Sequence, residues 1–346
     1  MENPSKGNQM RTKIKKIKID NLFGIKNIEW HLEDVSVLVG KNGTGKSTIL
    51  NIMKSLLLQE ADKGVHQCDF SEITMSDGTK ISHKQIPLNS AEFQGFFKTI
   101  SQIVKEQSSK NKIKNIAKDK LEDELKKITE IIEKINTPSP GRVIRTGFFQ
   151  VNQKVAPDTE DNEHGKLLIP FEYISTINMN ANSLNEVKSS DGNKTTILDM
   201  EIKKEISRMN EFSLTHKELC EDIKKKFTLA INNLFLECGK KINFGNDMYF
   251  TSDIDGKKLN IKDLSSGERQ LVYTLLKAAI AAFNSAILLM DEPEISLHLS
   301  WQEKLISTIK SINPDGQIII VTHSPAVVMA GWMNSYIDIK DLEKRS

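Results

Sequence analysis

Val35-Ser-Val-Leu-Val39 runs straight into Gly40-Lys41-Asn42-Gly43-Thr44-Gly45-Lys46-Ser47-Thr48, and this junction decides the architecture. A short, apolar, β-branched run reads as a fully buried strand. Gly40–Ser47 then fits G-x-x-x-x-G-K-S, with a helix expected over about 47–59. The pattern has a physical reason. Glycines let the backbone wrap closely around phosphates, with amide N–H groups turned inward. The helix that follows adds the positive end of its dipole. Lys46 supplies a point charge for the β- and γ-phosphates of a nucleoside triphosphate, and Ser47 offers a hydroxyl to Mg²⁺.

Outward from this loop, the chain keeps an α/β rhythm at both ends. Upstream, Ile17 and Ile19 alternate with lysines, the period of a half-buried strand, and Asn21-Leu-Phe-Gly24 makes a turn into a second strand over 25–32. A hairpin is expected over 72–81 with Asp77-Gly78 at its turn. In the middle, Leu121, Leu125, Ile128, Ile132 and Ile135 form an apolar seam about two heptads long, which fits a helix on its own domain as well as a short coiled-coil arm. Phe171–Ile177 reads as a strand, 196–237 as helix, and short strands are expected near 241–244, 248–252 and 258–261. The last third alternates plainly: helix 268–283, strand 286–290, helix 300–312 with Ser300 and Glu303 at capping-box spacing, strand 317–321.

Two further clusters carry chemistry. Ala286-Ile-Leu-Leu-Met-Asp291-Glu292-Pro293 is an apolar strand ending in two carboxylates. Asp291 at the strand's C-terminal end can hold Mg²⁺, and Glu292 can polarise an attacking water as general base. Leu264-Ser265-Ser266-Gly267-Glu268-Arg-Gln270 opens a helix, so a hydroxyl, an amide and a dipole can converge on a γ-phosphate. His323 follows the strand Ile318-Ile-Ile-Val321 in Val-Thr-His-Ser-Pro.

These elements, in this order, resemble the phosphate loop, signature motif, metal-binding strand and switch histidine of ABC-type ATPases. The resemblance covers roughly the first 60 and last 90 residues. Glu294-Ile-Ser-Leu-His298 is similar to the D-loop of the RecF, SMC and OLD-like branch, whereas transporter subunits usually carry Leu-Ser-Gly-Gly-Gln, from which Ser266 departs. The resemblance implies an ABC-type P-loop ATPase head with a mixed sheet and an inserted helical lobe or short arm. Residues 13–91 would be the N-terminal part of the head and 241–340 the C-terminal part. Residues 92–240 would be the mostly helical insertion, with the Q-loop strand at 171–177. Asn178 or Asn180 is the Q-loop candidate, with Gln150 as rival. It also implies that ATP and Mg²⁺ bind at Gly40–Thr48 and Asp291, and that Glu292, His323 and Lys46 are catalytic. Ser265, Ser266, Gly267 and Glu268 would touch the nucleotide held by a second copy, so the chain is expected to homodimerise.

Composition narrows the remaining choices. The 346 residues are 38% hydrophobic, 27% charged and only 6% aromatic, with a net charge of +2. That argues against a stacking platform for single strands and against a dedicated DNA-binding field. Cys68, Cys220 and Cys238 have no metal or redox spacing, the basic N-terminus has no apolar core, and Ala278–Met290 is too short to span a bilayer; a soluble cytoplasmic protein is expected. After His323 the acids are Asp338, Asp341 and Glu343, too few for a metal nuclease. Any nuclease or toxin effector is therefore expected on a separate chain. The ending resembles stand-alone ATPase subunits of bacterial anti-phage systems of the Septu, retron and PARIS types, with DNA or a phage component as trigger. The alternative is a DNA-repair or chromosome-maintenance ATPase that uses Lys13, Lys15, Lys16, Lys18 and the lysines of 110–127 on duplex phosphates. Acidic residues interleave the second group, as on a solvated helix face.

Overall fold

The computed structural model describes residues 12–87, 90–91, 95, 98, 145–152, 167–175, 187–188, 194–244 and 248–344. The apolar seam of 121–135 and the Q-loop candidates Asn178 and Asn180 lie outside them.

A parallel sheet forms the centre. It contains β3 (Val35–Val39), β7 (Phe171–Ile174), β13 (Ile287–Asp291), β14 (Ile318–Thr322) and β15 (Tyr336–Asp338), in the order β15-β3-β14-β13-β7. Each central strand is apolar along its length because both of its faces are covered. Val35, Val37, Leu288, Met290, Ile318 and Ile320 enter one core, while Leu38, Ile287, Leu289, Ile319 and Val321 enter another. The register pairs Thr322 with Val39 and Asp291 with Val321, so the strands that carry the chemical motifs end level with one another.

The face bearing Leu38 and Leu289 is covered by α1 (Lys46–Leu58) and by an antiparallel sheet. That sheet contains β1 (Ile14–Leu22), β2 (Lys26–His31), β4 (Phe70–Met75), β5 (Lys80–Pro87), β6 (Arg145–Asn152) and β16 (Glu343–Lys344), ordered β16-β2-β1-β4-β5-β6. The turns fall where the sequence places them: Asn21 near the end of β1, Phe23 and Gly24 between β1 and β2, and Gly78 between β4 and β5 all have positive φ. Gln317 ties the two sheets together. Its amide accepts from Ile14 N at 2.8 Å and donates to the carbonyls of Ile14 at 2.7 Å and Glu33 at 3.0 Å.

The opposite face is helical. It carries α2 (Ile197–Thr215), α3 (Lys217–Phe235), α4 (Ser266–Asn284) and α5 (Leu299–Ile312), with a three-stranded sheet of β10 (Lys240–Phe244), β11 (Met248–Ser252) and β12 (Lys258–Leu259) packed beside α3. A small hairpin, β8 (Val187–Lys188) with β9 (Lys194–Thr195), and a short α6 (Ala326–Met329) complete the described elements.

In the window 92–240, expected to be a mostly helical insertion with the Q-loop strand at 171–177, the described residues include β6 and β7, which pair into the two sheets, and α2 and α3, which share the core of α4 and α5. The stretch 196–237, expected to be helical, forms two helices that meet at His216 with φ −137° and ψ 62°. The capping box of Ser300 and Glu303 does not form: α5 starts at Leu299 with His298 as N-cap and no side-chain cap bond. The Ser300 hydroxyl instead donates to Glu237 at 2.8 Å. Among the described residues no helix is long and apolar enough to cross a membrane.

Candidate active site

The phosphate loop leaves the C-terminal end of β3 and turns into α1. Gly43 and Gly45 have φ of 78° and 103°, the left-handed region in which only glycine is unstrained. Gly45 is the N-cap of α1 and has no side chain to satisfy the first amides of the helix, so they are left for an anion. Gly40 is required for another reason: a Cβ there would meet Ile339 Cγ2 at 2.7 Å. Lys46 is buried and folds back onto its own loop, its ammonium donating to the carbonyls of Gly40 at 2.8 Å and Lys41 at 3.0 Å. A triphosphate placed in the loop would meet that ammonium and the open amides together.

Asp291 is the last residue of β13, and Ser47 is the second residue of α1. The Ser47 hydroxyl donates to Asp291 Oδ1 at 2.8 Å across 244 positions of sequence. Burial, followed by the charge of Glu292, pushes the Asp291 carboxyl up, against the pull of Ser47 and Lys46. A buried carboxylate next to a second carboxylate is a place where a cation lowers the energy. Its donors are hard oxygens, which suits Mg²⁺. Among the described residues no cluster of three His, Cys, Asp or Glu side chains could hold a metal alone, so phosphate oxygens would complete the shell.

Glu292 follows with φ 49°, a left-handed backbone that costs a non-glycine residue about 1 kcal/mol or more. Its amide donates to Val321 O at 2.8 Å, which fixes the turn to β14. The Glu292 side chain lines a cavity of about 220 Å³ together with Phe23, Asn42, Gly43, Gly45, Lys46, Ser47 and Thr48. His323, directly after β14, brings Nδ1 to 3.4 Å from Glu292 Oε1. The structure therefore gathers Asn42, Gly43, Gly45, Lys46, Ser47, Thr48, Asp291, Glu292 and His323 at one end of the parallel sheet, the crevice where α/β sheets bind ligands. Lys41 and Thr44 shape the loop through the Thr44 hydroxyl, which donates to Lys41 O at 2.8 Å.

The signature segment stands elsewhere. Ser265 is the N-cap of α4, and its hydroxyl accepts from Glu268 N while the Glu268 carboxylate accepts from Ser265 N at 2.6 Å. Glu268 is buried and also paired with Lys240 at 2.8 Å. These two side chains, expected to touch nucleotide, are thus occupied within the protomer. Outside that capping box, the start of α4 consists of Ser266, its half-buried first residue, and the helix N-terminus. Gly267 is needed for packing: a Cβ would lie 2.6 Å from Ser296 O of the D-loop. α4 belongs to the core on one face of the sheet and α1 to the core on the other, and no residue of 264–268 lines the phosphate cavity.

Of the Q-loop candidates, Gln150 sits on the edge strand β6, its amide donating to Asn152 Oδ1 at 3.3 Å, away from the phosphate cavity. β7 pairs in parallel with β13, Ile174 opposite Met290, so the chain leaves β7 beside Asp291. Two residues in the site have no role in the sequence reading. Phe23 was legible only as part of a turn, yet it is 43% exposed and lies over Gly45. Glu294 was legible only as part of the D-loop.

A family profile described as "AAA domain, putative AbiEii toxin, Type IV TA system" matches residues 35–330. The chain belongs to this family, AAA_21. The AAA_21 chain is 32% identical over 143 residues to the Septu protein PtuA of Bacillus thuringiensis, covering 36% of each. It is 35% identical over 130 residues to the DNA double-strand break repair Rad50 ATPase of Saccharolobus solfataricus, covering 34% of this chain and 15% of that protein. It is 25% identical over 146 residues to a Vibrio cholerae protein named Retron Vc95 probable ATPase, covering 39% and 27%. The matched stretches thus span little more than a third of these relatives at most. In fold, the AAA_21 chain is similar to an SMC head solved with the C-terminal winged-helix domain of ScpA, with a TM-score of 0.52, 12% identity and 94% of both chains covered. The architecture is that of an ABC-type ATPase head of the RecF, SMC and OLD-like branch.

Proposed function

We propose that the chain is a Mg²⁺-dependent ATPase that dimerises around ATP and serves as the sensor and regulatory subunit of a bacterial anti-phage complex, controlling a separate nuclease effector. The observation that carries the ATPase reading is the convergence of Lys46, Ser47, Asp291, Glu292 and His323 at level strand ends of one sheet. Lys46 and the α1 amides would hold the β- and γ-phosphates, and Ser47 and Asp291 would hold Mg²⁺. The ion, when bound, neutralises charge on the phosphate oxygens. Glu292 would accept a proton from the attacking water, and His323 would orient that water or the γ-phosphate.

The dimer reading rests on the two faces. α1 and α4 flank opposite sides of the parallel sheet, so Ser266 and the α4 N-terminus of one copy would close over the phosphate loop of another. ATP then favours the closed pair and hydrolysis releases it. The defence role is supported by the likeness to PtuA and to the retron ATPase. A repair-type reading is favoured by the likeness to Rad50. It draws less support from β1 and its flank, because Lys13 pairs with Asp34, Lys16 with Glu29 and Lys18 with Asp20. ATP hydrolysis stimulated by duplex DNA, with a steep salt dependence, would favour it.

The deciding experiment is mass photometry of Glu292→Gln with and without ATP and Mg²⁺. The expected outcome is a species of twice the protomer mass that appears only with ATP. Unchanged mass together with a wild-type hydrolysis rate would remove both Glu292 and the ATP-held dimer from the mechanism. Isolation of the native complex tests the defence role, and absence of any effector chain would overturn it.

A further inference from the structure

Glu294 lies close to this chemistry without a part in it. Its side chain is 2% exposed, and Oε1 accepts a hydrogen bond from the Thr322 hydroxyl, immediately before His323. Thr322 Oγ1 itself accepts from Ser324 N at 2.9 Å, which leaves its proton for Glu294. Oε2 is buried with no hydrogen-bond partner among the described residues. An unmet buried acceptor costs stability, so a structural role alone does not explain a carboxylate here.

The neighbouring geometry does explain it. His323 Nδ1 stands 3.4 Å from Glu292 Oε1 and 3.8 Å from Glu294 Oε1. One ring nitrogen faces two carboxylates, and a small rotation of the ring completes either contact but not both. Glu294 is fixed by burial and by Thr322, while Glu292 borders the phosphate cavity.

We propose that Glu294 is a positioning residue that accepts the Nδ1–H of His323, drawing the ring off Glu292 so that Glu292 is free to take a proton from water. The proposal rests on the ATPase reading of the site. With the ring on Glu292, the base is engaged and the site rests. With the ring on Glu294, the hydrogen bond at Nδ1 sets the tautomer and leaves Nε2 as an acceptor that can orient the attacking water.

The test compares Glu294→Met, which fills the same space without an acceptor, with Glu294→Gln, which keeps one oxygen. Each is made in wild-type and His323→Ala backgrounds. Three quantities are measured: ATP turnover with Mg²⁺, thermal unfolding without nucleotide, and the ring-nitrogen NMR signals of ¹⁵N-histidine-labelled protein, with His323 assigned by its loss in His323→Ala. For Glu294→Met, kcat should fall about tenfold with KM nearly unchanged, while the melting temperature holds or rises. Glu294→Gln should retain more activity than Glu294→Met, and the His323 Nδ1 signal should shift in Glu294→Met. In the His323→Ala background neither substitution should matter further. A kcat that falls equally in that background, or an unmoved Nδ1 signal, overturns the proposal. If the wild type turns over no ATP, the ATPase reading fails while the NMR signal still decides the contact.

Discussion

The two faces of the parallel sheet use charge in opposite ways. On the phosphate-loop face, polar side chains make contacts that a ligand could replace: Lys46 to two loop carbonyls, Ser47 to Asp291. On the helical face, charges are locked into one another. Lys277 pairs with Glu172 at 2.7 Å and Glu205 at 3.0 Å, Arg208 pairs with both acids at 2.7 Å, and Arg269 pairs with Asp199 at 3.1 Å. On the reading proposed above, the first face would be a cradle that substrate completes, and the second an ion-paired block that carries α4. A clamp that closes on ATP needs both: one surface that changes partners and one that does not.

The largest expected effect comes from breaking the cradle. Lys46→Ala should reduce ATP turnover on the order of a thousandfold, as loss of a main phosphate charge does. Its melting temperature without nucleotide should be close to wild type, since the lysine's bonds go to carbonyls of its own loop. Steady-state kinetics and thermal unfolding check the two halves. A large loss of stability would show that the loop is not a separable cradle.

Breaking the block should do the reverse. Burial works against the Lys277 ammonium, but Glu172, Tyr273 and Glu205 outweigh it and hold its pKa above the ordinary lysine value. Burial likewise opposes the Glu172 carboxylate, and Arg208 and Lys277 together hold its pKa low. Removing one cation from this buried set leaves an uncompensated acid, at a cost of about 3 to 5 kcal/mol. Lys277→Ala should therefore lower the urea midpoint strongly, while the isolated phosphate site keeps its residues. A shift no larger than that of an exposed lysine would mean that the set is screened and the block is soft.

The same contrast governs what could be read in the sequence. The cradle was legible because its chemistry is contiguous: Gly40–Thr48 and Asp291-Glu292 each declare their role within a few residues. The block was not. Glu205 and Arg208, three apart, look like an exposed helix pair, and their partners Glu172 and Lys277 come from distant positions. The break at His216 carries no glycine or proline to announce it. β15 is three residues long, below what periodicity can detect, and is recruited by pairing with β3. Ser300 and Glu303 had the spacing of a cap, but Glu237, remote in sequence, engages the Ser300 hydroxyl.

The smallest expected effect separates the two serines at the start of α4, where block and cradle would meet in the dimer. Ser265 spends its hydroxyl on the Glu268 amide as a cap, and replacing such a cap with alanine costs about 1 kcal/mol. Ser266 is the first helical residue, half-buried, with no role in that capping box. Ser265→Ala should lower stability by that amount while ATP still drives dimer formation. Ser266→Ala should leave the melting temperature unchanged and weaken the ATP-dependent dimer, because on the dimer reading proposed above its hydroxyl, which takes no part in the capping box, would meet the γ-phosphate of the opposing copy. Thermal unfolding and mass photometry at a series of ATP concentrations read both effects. If the two serines exchange these phenotypes, the capping arrangement is not the one that operates in the closed pair, and the α4 start must rearrange when ATP binds.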